Sequence, residues 1–212
     1  YLYKLLNSGH RVAICEQVED PKVAKGIVKR EVVEVISPGT AIADKYLNHN
    51  ENNFLCSLYF NKDYFYYSFL DYSTGEFSAG ENSISELYNT INHYNVTEII
   101  VCKKQENMID HNKINNILIT TYHNWIADLE ICYEKMINHF ATNSLKGFGF
   151  SKNDLSIISA GAALSYVEEN YFGKIKHITS LSKTAKSDIM KLDSATTKNL
   201  ELFESLNSKD NK

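Results

Sequence analysis

The sequence predicts a mixed α/β protein, and three observations carry that prediction. Short runs rich in aromatic and β-branched residues alternate with segments whose apolar residues recur at helical spacing. Asn-Lys-Asp and Ser-Thr-Gly triplets separate successive strand-like runs, as hairpin turns require. A long segment rich in small residues, "SIISAGAALSYVEEN", has the composition of a helix packed tightly on its neighbours.

The elements follow in order. "YLYKLLNSGH" reads as the last turns of a helix stopped by Gly9, and Arg11 to Gln17 as a strand. Asp20 before Pro21 predicts a short helix to Lys25, with Gly26 as its stop. "VKREVVEVIS" is a second strand, broken by Pro38-Gly39-Thr40. The Asn-rich stretch that follows predicts a linker over 39–52.

A new core should begin there. "NFLCSLYF", "YFYYSFLDYS" and "GEFSAGE" predict three antiparallel strands joined by two hairpins, with a core face alternating against an outward tyrosine face. "SISELYNTINHY" places Ile84, Leu87, Tyr88 and Ile91 on one helical face behind a capping Ser83 or Ser85. "TEIIVC" and "NILITT" are further strands. Ile126 to His139 forms an amphipathic helix with Glu134 and Lys135 off its apolar stripe. The long helix starts from Ser151, Asn153 or Asp154 and ends near Gly173. "IMKLDSATTKNLELFESL" reads as a short strand and a helix capped at Asp193 or Ser194.

Composition limits the function classes. The chain has 212 residues, a net charge of −4 and 43% hydrophobic residues, without an apolar run long enough to suggest a membrane span. Residues 51 to 180 carry 9 Lys/Arg against 15 Asp/Glu, an acidic balance unsuited to a principal DNA-binding face. The start, Tyr1-Leu2-Tyr3, looks like a cut inside a longer protein rather than a signal peptide. Cys15, Cys56, Cys102 and Cys132 lack metal or disulfide spacing and read as thiols in a reducing cytosol. The seven histidines form no His-x-x-x-His pair.

Candidate sites are few. "DYSTGE", Asp71 to Glu76, invites comparison with a catalytic Asp-Thr-Gly or a phosphate-cradling turn, but with one copy and no second carboxylate loop it reads as hairpin chemistry. Lys25, Lys29 and Arg30 could touch a phosphate backbone. Glu31 and Glu34 interrupt that patch, so a solvated strand edge is an equal reading. Trp125 and the Tyr64 to Phe69 aromatics could stack bases, yet no Arg or Lys interleaves them. Three antiparallel strands followed by α and parallel β resemble the ribonuclease H topology, with a mixed five-stranded sheet flanked by helices. Two-metal nuclease chemistry needs converging carboxylates, and the first strand, Asn53 to Phe60, holds none.

The stretch "VAICEQVEDPKVAKGIVKREVVEVISPGT" resembles the end of the mismatch-binding domain of bacterial MutS DNA mismatch-repair proteins. "LDYSTGEF" is similar to that family's connector-domain hairpin, "LKGFGF" to the loop before the connector's long helix, and "LDSATTKNLEL" to the entry of its core domain.

The resemblance implies a remnant of the mismatch-recognition domain over residues 1 to about 38, truncated and α/β. It further implies a complete ribonuclease H-like connector over about 51 to 180, and a linker with the start of the core over 181–212. The family's Phe-x-Glu mismatch-reading motif and its Walker A loop are not in this sequence. The expectation is therefore a non-catalytic connecting piece without a cofactor of its own, while ATP, Mg²⁺, mismatched DNA and a second MutS subunit concern a longer, cytoplasmic bacterial parent.

MutL is the implied partner of the connector, through the outer side of the helix Ile126 to His139 and hence Glu134 and Lys135. The competing expectation is a fragment that binds DNA by itself through Lys25, Lys29 and Arg30.

Overall fold

The computed structural model describes residues 1–20, 26–42, 52–114 and 116–184. The short helix expected at 21–25, most of the linker at 39–52 and everything expected beyond 184 lie outside the described residues.

The N-terminal part is small. Helix α1 (Leu2–Asn7) ends as Gly9 takes a left-handed φ of 77°, and the His10 N–H turns back to the Leu5 carbonyl at 3.0 Å. Strands β1 (Val12–Gln17) and β2 (Arg30–Ile36) pair antiparallel, with an irregularity between Ile14 and Cys15. Their own core is slight: Leu6, Ile36 and Ala41 are buried, with Leu2, Val12 and Ile14 packed on them.

The larger part is built on a six-stranded sheet, in spatial order β7 (Leu118–Tyr122), β6 (Val96–Cys102), β3 (Phe54–Asn61), β4 (Tyr64–Leu70), β5 (Phe77–Ser83) and β8 (Ser182–Lys183). Strands β3 (Phe54–Asn61), β4 (Tyr64–Leu70) and β5 (Phe77–Ser83) form the expected antiparallel meander. Its first turn is possible because Lys62 accepts a φ of 54°, and its second because Gly75 takes 76°. A 3-10 turn, Ile84–Glu86, leads into α2 (Leu87–His93); Ser83 precedes it without a side-chain cap, its hydroxyl meeting that of Ser85 instead. Strands β6 (Val96–Cys102) and β7 (Leu118–Tyr122) then add parallel to β3.

The sheet has six strands where five were expected. The extra one, β8 (Ser182–Lys183), pairs parallel with Ser78 and Ala79 at the β5 edge, and two residues are too few to leave a periodic signal.

Both sheet faces are covered. Phe54, Cys56, Leu58, Phe65, Tyr67 and Phe69 pack with α2 residues Leu87 and Ile91 on one side. On the other, helices α3 (Leu129–His139) and α4 (Ser156–Asn170) cover Leu55, Leu70 and Ile100. The outward tyrosine face expected for β4 is thereby corrected: Tyr67 belongs to the core, and only Tyr64 of that strand is exposed.

Helix α4 is the spine of this side, with most of its length buried. It starts five residues after Ser151, where the Asp154 carboxylate accepts from the Ser156 N–H at 3.0 Å. Helix α3 starts at Leu129 rather than Ile126, because the Asp128 carboxylate caps the N–H groups of Glu130 and Ile131 at 2.9 and 3.1 Å. Asn124–Ile126 forms a separate 3-10 turn.

Candidate functional site

Glu134 and Lys135, adjacent in sequence, do different things in the structure. Glu134 is exposed on the outer side of α3, the side that also presents Ile131 to solvent. Lys135 lies over the seam between α3 and α4 and forms an ion pair with Glu168. Together with Asn138, His139 and Ile175 this pair lines a shallow groove of about 350 Å³. The His139 ring is fixed by its Nε2, 2.7 Å from the Ile178 carbonyl oxygen.

Of the basic segment, Lys25 lies outside the described residues. The Lys29 ammonium sits 2.5 Å from the Glu31 carboxylate, and its backbone N–H donates to Glu19 Oε2 at 3.2 Å. The hydrogen bond to Glu31, and then its charge, hold the Lys29 pKa above the usual lysine value. Arg30 opens β2 on the exposed ribbon, paired opposite Gln17. Of these cations, Lys29 is set among carboxylates.

Asp71 serves its turn. Its Oδ1 accepts from the Ser73 N–H and hydroxyl at 2.8 and 2.7 Å and from the Thr74 N–H at 3.3 Å, while Oδ2 receives the Asn53 N–H at 3.3 Å. Among the described residues, no three His, Cys, Asp or Glu side chains stand together as metal ligands would. None of the described helices is long and apolar enough to cross a membrane.

The densest polar constellation is one that sequence reasoning missed. Glu98, in the middle of apolar β6, is fully buried on the α4 side of the sheet. Its Oε1 accepts from the Thr120 hydroxyl at 2.8 Å and the Tyr166 hydroxyl at 2.5 Å. Its Oε2 accepts from the Ser37 hydroxyl and, at 3.1 Å, from the Gly39 N–H. Burial first, and then the neighbouring Glu98 charge, push the Tyr166 phenol well above the usual tyrosine range.

Ser37 and Gly39 belong to the 3-10 turn Pro38–Thr40, which follows β2 and is buried throughout. The expected linker thus begins with residues packed against the sheet. The Asn53 side-chain amide donates to the Pro38 and Ala41 carbonyls at 2.7 and 3.2 Å, and the Tyr171 hydroxyl donates to the Thr40 carbonyl. Farther out, the Arg11 guanidinium donates to Asn170 Oδ1 at 3.1 Å and lies 5.3 Å from the centre of the Tyr166 ring. The only signals for this joint in the sequence are an acid placed inside "TEIIVC" and a separate Ser-Pro-Gly-Thr turn, with Gly39 and Glu98 59 positions apart along the chain.

Comparison with known proteins follows the same division. A family model described as MutS domain II matches residues 53–179, and one described as MutS domain I matches residues 1–45. The chain belongs to the MutS family. DNA mismatch repair protein MutS of Flavobacterium psychrophilum is 41% identical over 207 residues, covering 98% of this chain and 24% of that protein. The MutS proteins of Parabacteroides distasonis and Salinibacter ruber are 38% and 39% identical, over 98% and 97% of this chain. The chain spans about a quarter of the length of these curated MutS relatives. On these matches, the Ser37–Thr40 turn sits at the end of the MutS domain I segment, and Glu98, Thr120 and Tyr166 lie in MutS domain II.

Proposed function

We propose that this chain is a non-catalytic connecting piece of a MutS mismatch-recognition ATPase, joining the mismatch-binding unit to the rest of the protein and offering a docking face to MutL. The observation that carries the reading is the joint itself. The end of the domain I segment is buried against the domain II sheet by hydrogen bonds to the Glu98 carboxylate and from the Asn53 amide and the Tyr171 hydroxyl.

The connector reading includes a ribonuclease H-like fold. Its support is the strand order β7-β6-β3-β4-β5, in which β4 alone runs antiparallel to the others. A nuclease site on that fold would need carboxylates converging on two cations. Strand β3 contributes none, and the Glu98 carboxylate is already surrounded by four donors.

Support for docking comes from the outer side of α3. Ile131 on the helix and Trp125 in the turn before it are 44% and 63% exposed, and Glu134 on the helix is exposed as well. Exposed aromatic and aliphatic groups among charges are the material of protein interfaces. ATP with Mg²⁺, mismatched DNA and a second MutS subunit would belong to the longer parent. The alternative of independent DNA binding through Lys25, Lys29 and Arg30 has weaker support, since Glu31 and Glu19 surround Lys29.

The test is a titration of the chain with the matching MutL ATPase domain, followed by amide NMR shifts at moderate salt. Saturable shifts centred on residues 126–139 are expected; their absence overturns the docking reading for this chain. In the full-length protein, Glu134→Ala with Lys135→Ala should weaken MutL capture, and unchanged affinity would remove those two residues from the interface. Binding to duplex DNA that collapses with added salt would instead favour the alternative.

A further inference from the structure

We propose that Glu98 is a positioning residue that fixes the orientation of the N-terminal unit on the connector, a role separate from any docking of MutL. The two oxygens of its carboxylate divide the work. Oε1 is satisfied within the connector, by Thr120 of β7 and Tyr166 of α4. Oε2 is satisfied by the incoming turn, through the Ser37 hydroxyl and the Gly39 N–H. With the turn shifted out of this position but still covering the carboxylate, Oε2 would lose both its donors, and an uncompensated buried charge is strongly unfavourable.

The turn is matched to this acceptor. A Cβ on Gly39 would stand 2.6 Å from the Glu98 Cβ, 3.1 Å from its Oε2 and 3.2 Å from Leu55 Cδ1, so only glycine lets the backbone reach the carboxylate. The remaining ties, from Asn53, Tyr171 and Arg11, converge on the same side of the molecule as the turn and the end of α4. Most of β1 and the first residues of β2 are exposed, so the ribbon contributes little further grip. Among the described residues, the placement of the N-terminal unit therefore rests chiefly on this patch, with the buried Glu98 carboxylate at its centre.

Replacement by glutamine separates charge from geometry. A carboxamide can turn its oxygen to the Gly39 N–H, which can only donate, and its NH₂ to the hydroxyls of Thr120 and Tyr166, which can accept. Glutamine should preserve the orientation, and alanine should not.

The experiment uses the 212-residue chain with one nitroxide on Cys15, the exposed native cysteine, and a second on Lys152→Cys, exposed on the connector. Pulsed electron paramagnetic resonance then reads the distance between the two units. A single narrow distance is expected for the labelled chain that keeps Glu98 and for Glu98→Gln, and its loss for Glu98→Ala with the connector's circular dichroism retained. Gly39→Ala, which alters no connector residue, should cause the same loss and decides the matter if Glu98→Ala fails to fold. A narrow distance in a folded Glu98→Ala or in Gly39→Ala overturns the proposal. So does a Glu98→Gln chain as broad as Glu98→Ala. No MutL enters this readout, so its outcome is independent of the docking test.

Discussion

Gly161 of α4 faces Cys132 of α3 across a seam that has no room for a methyl group. A Cβ at Gly161 would stand 2.5 Å from the Cys132 Cβ and 2.9 Å from its Cα. Gly161→Ala should therefore lower stability in spite of alanine's helix propensity. Overpacking costs about 1–3 kcal/mol, and the propensity gain offsets at most about 1 kcal/mol of it. Urea denaturation measures the net loss. Adding Cys132→Ala should not restore stability, because the collision is with atoms that alanine keeps; full recovery would refute the seam as the cause.

Asn53 holds the other tight place. It is 2% exposed, donates to the Pro38 and Ala41 carbonyls and accepts from the Thr97 hydroxyl at 2.6 Å. Asn53→Ala should cost about 2–3 kcal/mol by leaving these groups buried and unmatched. Asn53→Asp should be worse, since it sets a carboxylate oxygen against carbonyl oxygens. Equal denaturation midpoints for the two variants would argue against the assigned amide orientation.

Alkaline pH should unfold the chain early. Burial pushes the Cys132 thiol up from 9.0 to about 12, and the Tyr67 and Tyr72 phenols up from 10.0 to about 12. The unfolded state releases these protons first, so their contribution is whole below pH 9 and is lost as pH climbs toward 12. The thermal midpoint should fall steadily from pH 9 upward; a flat profile to pH 11 would contradict the burial of these groups.

The four cysteines should divide sharply by access. Cys15 is exposed, whereas Cys56, Cys102 and Cys132 are buried. A thiol reagent at neutral pH should consume one equivalent quickly in the native chain and four in denaturant. Rapid reaction of a second thiol would mean that a core face of the sheet opens readily.

The sequence was readable wherever a local rule governs the backbone. The Lys62-Asp63 and Ser73-Thr74-Gly75 turns, the left-handed Gly9 and the small residues of α4 all answer to neighbours within a few positions. Boundaries were less legible when two local rules competed. Apolar spacing suggested a helix from Ile126, but the Asp128 cap delays it to Leu129. Long-range matters were not legible. Glu98 in "TEIIVC" looks like the outward residue of an ordinary strand, and its donors come from Ser37 and Tyr166, 61 and 68 residues away. Strand β8 likewise takes its register from β5 rather than from any pattern of its own.

The tie between Arg11 and Asn170 spans 159 residues of chain. During synthesis the N-terminal ribbon leaves the ribosome long before the end of α4 exists to receive it. At translation rates of roughly 5–20 residues per second, that interval lasts roughly 10–30 s. Through it Val18, Ile27 and Val32, exposed even in the finished chain, have no connector beside them. Nascent-chain handling by chaperones should therefore concentrate on the first of the two units, and a slower ribosome should lengthen its exposure.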